Sequence, residues 1–133
     1  MRNFTPILAA GLMAGCVASE MPDANEGRQL FAENCAACHG MTGKGDGPIA
    51  RDLGRVPADL TQLSKWDEGF DRARVLSVID GYTRAQKGVH RMPEFGAILT
   101  GETVPVDLGN GEMSPVTRPL AALLFYLESI QEG

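Results

Sequence analysis

The sequence predicts a small, almost entirely α-helical domain. Three observations predict it. Apolar residues recur at three-to-four spacing in the stretches 25–37, 71–80 and 117–131. A glycine-rich run over 40–47 and several prolines punctuate the chain between those stretches. Finally, the pentapeptide Cys35-Ala36-Ala37-Cys38-His39 stands at the end of the first helical pattern, and C-x-x-C-H is the attachment signature of a c-type haem. With 133 residues, the chain is the length of one domain, and a large buried haem would form a major part of its modest core.

Each part of the pentapeptide has a mechanical reason. Two thiols at fixed spacing add to the two vinyl groups of the porphyrin, and His39 follows at once as proximal iron ligand. Chance would place this pattern in roughly one shuffle in 1,500 of so Cys- and His-poor a chain, so the motif is a strong signal. Two other uses of C-x-x-C fit less well. A thioredoxin-type couple needs a βαβ setting, which is absent, and a structural zinc site needs two more Cys or His ligands. Outside the motif only Cys16 and His90 remain.

The N-terminus reads as an export signal. Arg2 is a short positive region, and residues 4–15 form an uncharged, largely apolar run too short to span a bilayer. The run ends Met13-Ala14-Gly15-Cys16, which resembles the bacterial lipoprotein signal, although Met13 stands where that family usually has Leu. The resemblance implies that 1–15 are removed and that Cys16 is acylated. Residues 16–24 then form a lipidated N-terminus and tether, and 25–133 the folded domain. The alternative is an ordinary signal peptide and a soluble periplasmic product. The cysteines are then two for haem, one for lipid and none for a disulfide. The chain is acidic, with 12 Lys and Arg against 17 Asp and Glu, net −5, which argues against a nucleic-acid partner.

The first helix is expected from an N-cap at Asn25 to about Ala37, with Leu30, Phe31 and Asn34/Cys35 on its buried face. Here the chain resembles the class I cytochrome c family: Gly27, Phe31 and Cys35 repeat its glycine, aromatic and first haem cysteine at four-residue steps. The glycine run after His39 lacks the P-loop order and follows no strand, so phosphate binding is the weaker reading. Its GDGP, followed by PADLT, again resembles bacterial members of the family. That resemblance implies that the Pro48 carbonyl accepts a hydrogen bond from the proximal histidine, fixing the ring.

Trp66 is either a neighbour of a haem propionate, as the resemblance implies, or a plain core tryptophan. Residues 71–80 should be a helix with Val75, Leu76, Val78 and Ile79 as its apolar face and Gly81 as its stop. The segment Met92-Pro93-Glu94-Phe95-Gly96 resembles the one that delivers the family's distal methionine, and Met92 is the expected second axial ligand. His90 and Met113 are the alternatives; thioether ligation gives a higher potential than a second histidine. Arg84, Lys87 and Arg91 make a basic stretch, read either as a docking patch for an acidic partner or as a solvated loop with Arg91 on a propionate. Val104, Val106 and Leu108 alternate before Gly109-Asn110-Gly111, predicting a small β-hairpin inserted over 102–116. The last helix, 117–131, has Thr117 as cap, Pro119 in its first turn and a stripe of Leu120, Leu123/Leu124, Leu127 and Ile130.

The resemblance covers about residues 24–131. It implies a class I cytochrome c fold, with N- and C-terminal helices crossing around one covalent haem c and its iron. It also implies one-electron transfer by a membrane-tethered carrier on the periplasmic side, with His39 and Met92 filling both axial positions. The partners would be a redox donor and acceptor, a respiratory complex among the candidates, with no small-molecule substrate and no catalysis of its own. Two rivals stay open: a gas or redox sensor or weak peroxidase with an open iron, and an accessory haem subunit of a membrane dehydrogenase or oxidase.

Overall fold

The computed structural model describes residues 20–65, 68–82 and 92–133. Trp66, Arg84, Lys87, His90, Arg91, Cys16 and the export segment lie outside the described residues. Helix α1 (Ala24–Asn34) starts one residue before Asn25, and its cap is Asp23. The Asp23 carboxylate accepts from the backbone N–H groups of Asn25 at 3.0 Å and Glu26 at 2.9 Å, and the Glu26 bond above all holds it below the usual carboxylate range. The expected continuation to Ala37 is interrupted. Cys35 (φ −119°, ψ −34°) breaks the run, and a short helix α2 (Ala36–His39) carries the rest of the haem motif.

Helix α4 (Arg118–Ser129) is buried around most of its circumference, with Ala121, Ala122, Leu123 and Leu124 essentially sealed from solvent. Thr117 holds the N-cap position, but its hydroxyl donates to Leu99 O at 3.0 Å instead of capping. Helices α1 and α4 pack closest at Gly27. A Cβ there would run into the Ala122 backbone carbonyl, with its carbon at 2.6 Å, and the Tyr126 Cβ at 2.7 Å. One turn on, the Phe31 and Tyr126 rings meet at 5.2 Å between centroids, tilted by 52°. Glycine at 27 is what lets the two backbones touch.

Helix α3 (Arg72–Asp80) is capped by Asp71, which accepts from Arg74 N at 2.9 Å, and stopped by Gly81 in the left-handed region (φ 105°). Its expected apolar face is split: Ile79 is buried, Val75 and Leu76 are half-buried, and Val78 is exposed. Arg72 ties α3 to two other elements. It grips both carboxylate oxygens of Glu128 on α4 (3.0 and 2.7 Å), donates to Asp107 O at 3.0 Å, and lies over the Phe125 ring.

The inserted hairpin is present as β1 (Thr103–Asp107) and β2 (Met113–Thr117), antiparallel, with Val104, Val106 and Val116 buried. The turn is the five-residue segment 108–112 rather than a two-residue Asn-Gly turn. The Asp107 carboxylate organises it by accepting from Gly109 N (2.8 Å) and Gly111 N (3.0 Å). Pro105 and Pro115 face each other across the ladder. Arg118 N donates to Glu102 O at 2.8 Å, and alternation from that pair makes 105/115 a non-hydrogen-bonded pair, so neither proline removes a ladder bond.

Candidate functional site

The site is built on the two ends of α2. Its C-terminal carbonyls would be left without intrahelical donors. The glycine run turns back and supplies them: Ile49 N donates to Ala37 O (3.1 Å), Gly47 N to Cys38 O (3.1 Å) and Gly45 N to His39 O (2.8 Å). A Cβ on Gly47 would sit 2.6 Å from the Cys38 carbonyl carbon and oxygen, so only glycine admits this approach. Leu60 N then donates to Gly43 O at 2.7 Å, docking the 57–60 strand of chain onto the loop. The C-terminal tail clamps the following turn, Leu60–Lys65: Gln131 Nε2 donates to Leu60 O at 2.8 Å, and Glu132 N to Thr61 O at 2.8 Å.

This docking decides the partner of His39. The ring Nδ1 lies 3.1 Å from the carbonyl oxygen of Ala58, not that of Pro48. Pro48 is exposed, and the chain around it runs along the α2 backbone through Gly47 and Ile49, while Ala58 is brought to the ring by the Leu60–Gly43 contact. A carbonyl can only accept, so Nδ1 carries the proton and the Nε2 lone pair is left for a metal. Burial pushes the His39 pKa down, against the opposing pull of the Ala58 bond, which favours the neutral ring that ligates.

Two adjoining hollows, of about 190 and about 530 Å³, both border on Cys35, His39, Ala58 and Met92. The larger is in the range of small-molecule and cofactor sites. Their walls are mainly apolar: Phe31, Leu60, Leu63, Val75, Ile79, Leu123 and Leu127 on one side, Leu53, Val56, Pro57 and Phe95 on the other. Cys38 lines the larger hollow, and the two motif cysteines are not joined to each other in a disulfide. Burial, with Cys38 adding to it, pushes the Cys35 thiol up to about 11. A thiol protonated at neutral pH does not suit a thioredoxin-type nucleophile. Among the described residues no three His, Cys, Asp or Glu side chains are grouped to hold a metal ion, so zinc finds no ligand set there.

Of the described methionines, Met92 lines both hollows, while Met41 and Met113 are each 67% exposed and line neither. The structure thus brings Cys35, Cys38, His39 and Met92 to one apolar cleft and leaves Pro48 outside it. Ala58 is the site residue that sequence reasoning missed. The only signal for it was the PADLT phrase, since any residue type offers a backbone carbonyl.

These residues fit a covalent haem c: two thiols at the motif spacing, a neutral histidine with one free ring nitrogen, and apolar walls. The comparisons agree. Residues 22–104 match the family described as cytochrome C oxidase, cbb3-type, subunit III. The chain is 35% identical over 92 residues to the cbb3-type cytochrome c oxidase subunit FixP of Azorhizobium caulinodans, covering 69% of this chain and 27% of that protein. It is 44% identical over 75 residues to the subunit CcoP of Cereibacter sphaeroides (56% and 22%), and 31% identical over 81 residues to the CcoP of Azospirillum brasilense (61% and 25%). The chain spans about a quarter of the length of these curated relatives. No solved structure matches it significantly. The chain belongs to the cbb3-type cytochrome c oxidase subunit III family, as a class I c-type cytochrome domain with one covalently bound haem c.

Proposed function

We propose that this domain passes single electrons as an accessory haem subunit of a membrane-bound respiratory oxidase. The observation that carries the reading is that Cys35, Cys38, His39 and Met92 border one apolar cleft, with His39 Nδ1 committed to Ala58 O. The names of the relatives favour an oxidase subunit over the freestanding carrier expected from the sequence. Bound haem would supply ferric/ferrous one-electron chemistry. The chain's residues do the rest. Cys35 and Cys38 would hold the porphyrin edge, and the Ala58 bond to Nδ1 would fix the ring so that His39 offers Nε2 to the iron. Met92 offers a soft, neutral thioether, which favours ferrous iron and a higher potential than a second histidine would. With His39 and Met92 both ligating the iron, the chain would leave no open ligand site for a substrate. The apolar walls would keep water from a bound ring.

Trp66 and Arg91 belong to the same proposal as neighbours of the propionates, and so does membrane attachment. Among the described residues no helix is long and apolar enough to cross a membrane. Acylation of Cys16, after loss of residues 1–15, would supply an anchor on the periplasmic side, with 16–24 as tether to the domain.

Absorption spectra of the holoprotein, with and without carbon monoxide, test the site. A low-spin ferric spectrum with the weak far-red band of methionine ligation, lost in Met92→Ala, and no carbon monoxide binding are expected. A high-spin ferric spectrum with ready carbon monoxide binding would give the lead to the sensor or peroxidase reading. For the assembly, oxidase subunits should co-purify with the protein from detergent-solubilised membranes. Purification of the cytochrome alone would return the reading to a freestanding carrier.

A further inference from the structure

We propose that Gly96, seated against Asp80 at the C-terminal end of α3, is a positioning residue for Met92. The inference rests on the axial role given to Met92 above. Residues 94–96 and 80–81 pack against each other, each glycine covered by the other segment's acidic residue, Gly96 by Asp80 and Gly81 by Glu94. A Cβ on Gly96 would run into the Asp80 carboxylate, with Cγ at 2.6 Å and the Asp80 carbonyl oxygen at 3.0 Å. Reciprocally, a Cβ on Gly81 would meet the Glu94 side chain at 2.6 Å (Cγ) and 2.7 Å (Cβ), and its Cα at 3.2 Å. The segment that follows Met92 is therefore pressed onto the end of the helix whose Val75, Val78 and Ile79 line the cleft.

The same segment is held from its other flank. Phe95 is buried in the core, Leu99 N donates to Phe95 O at 2.7 Å, and Leu99 O accepts from Thr117. Pro93 restricts Met92 to extended backbone. With these anchors in place, the depth at which residues 94–96 sit on α3 sets how far the Met92 sulfur reaches into the cleft. Displacement by one methyl is enough to matter, because a metal–ligand bond tolerates a few tenths of an ångström.

Gly96 is a clean probe. It sits in the short turn Phe95–Ala97 and is not among the glycines with positive φ, so alanine fits its backbone, and the three atoms nearest its methyl all belong to Asp80, the backbone carbonyl oxygen at 3.0 Å among them. Gly81 (φ 105°) would confound contact with strain. The experiment compares the full-length wild type, Met92→Ala, Gly96→Ala and the double variant Asp80→Ala/Gly96→Ala as holoproteins. It reads covalent haem, the far-red ferric band, carbon monoxide binding and reduction potential. Gly96→Ala should lose the band, gain carbon monoxide binding and fall in potential, and the double variant should recover all three. A band retained in Gly96→Ala overturns the proposal, and so does a double variant that fails to recover. If Gly96→Ala makes no holoprotein, recovery of holoprotein with the band in the double supports the seat, and no recovery overturns it. A wild type without the band, or one whose band survives Met92→Ala, would show instead that the axial reading is what failed.

Discussion

Replacing Gly27 by alanine sets two opposed effects against each other. Inside an isolated helix the change is favourable by about 1 kcal/mol, because glycine carries more backbone entropy. In this fold the new methyl meets the Ala122 carbonyl and, at 2.7 Å, the Tyr126 Cβ. Neither is the far end of a flexible side chain, so α1 and α4 must move apart. Overpacking of this kind costs about 1–3 kcal/mol. The shift also opens the Phe31–Tyr126 ring pair at 5.2 Å, worth about 0.5–1.5 kcal/mol beyond its buried area. The clash wins by about 0.5–3.5 kcal/mol net. At about 4–8 °C of Tm per kcal/mol for a domain near this size, a drop well above measurement error is expected. Thermal melts of wild-type and Gly27→Ala holoprotein, followed by far-UV circular dichroism, make the comparison. A variant that melts at or above the wild type would refute the reasoning, since helix propensity would then have outweighed a contact that the helices can relax.

Arg72→Lys should destabilise the domain by about 1–2 kcal/mol even though the charge is kept. Lysine cannot span both Glu128 oxygens and Asp107 O at once, and the full value of a charged hydrogen-bond pair is reduced by partial solvent exposure; an unchanged urea midpoint would rule this out. The stability contributed by three carboxylates should also be complete above about pH 5 and be lost progressively below it. The carboxylates of Asp23, Asp59 and Asp107 are each held below their ordinary value of 3.8, chiefly by hydrogen bonds from nearby backbone N–H groups and, for Asp59, first from the Thr61 hydroxyl. A group with a depressed folded pKa contributes stability above its unfolded pKa and loses it as pH falls through the folded one. Urea midpoints at pH 6, 4 and 3 should show that decline, with a smaller decline in Asp59→Asn; equal midpoints at pH 6 and pH 3 would be inconsistent with it.

Local chemistry explains which elements were legible in the chain alone. The resemblance carried by Gly27, Phe31 and Cys35 implied the pairing of the terminal helices, and the structure gives the reason for the first two: close approach demands a small residue at one point, with aromatic packing one turn away. Gly81 announced the end of α3, and the alternation of Val104 and Val106 announced a strand with one buried face. The start of α1 was misplaced because Asp23 and Asn25 are equally good caps in isolation. Asp23 is the one whose carboxylate reaches the N–H groups of the first turn. The break at Cys35 left no trace in periodicity, since α2 continues the chain with a single residue between.

The chemistry expected of the site is written in one short stretch of the chain. Cys35, Cys38 and His39 are defined by residue type and spacing, and both are local properties. Tertiary structure decided how that chemistry is oriented. The acceptor for His39 is a backbone carbonyl, which every residue carries, so nothing in composition distinguishes Pro48 from Ala58. The Leu60–Gly43 hydrogen bond makes the choice. The seat of Gly96 on Asp80 likewise depends on two segments meeting in space, and distance between residues remote in sequence is what a one-dimensional pattern does not encode.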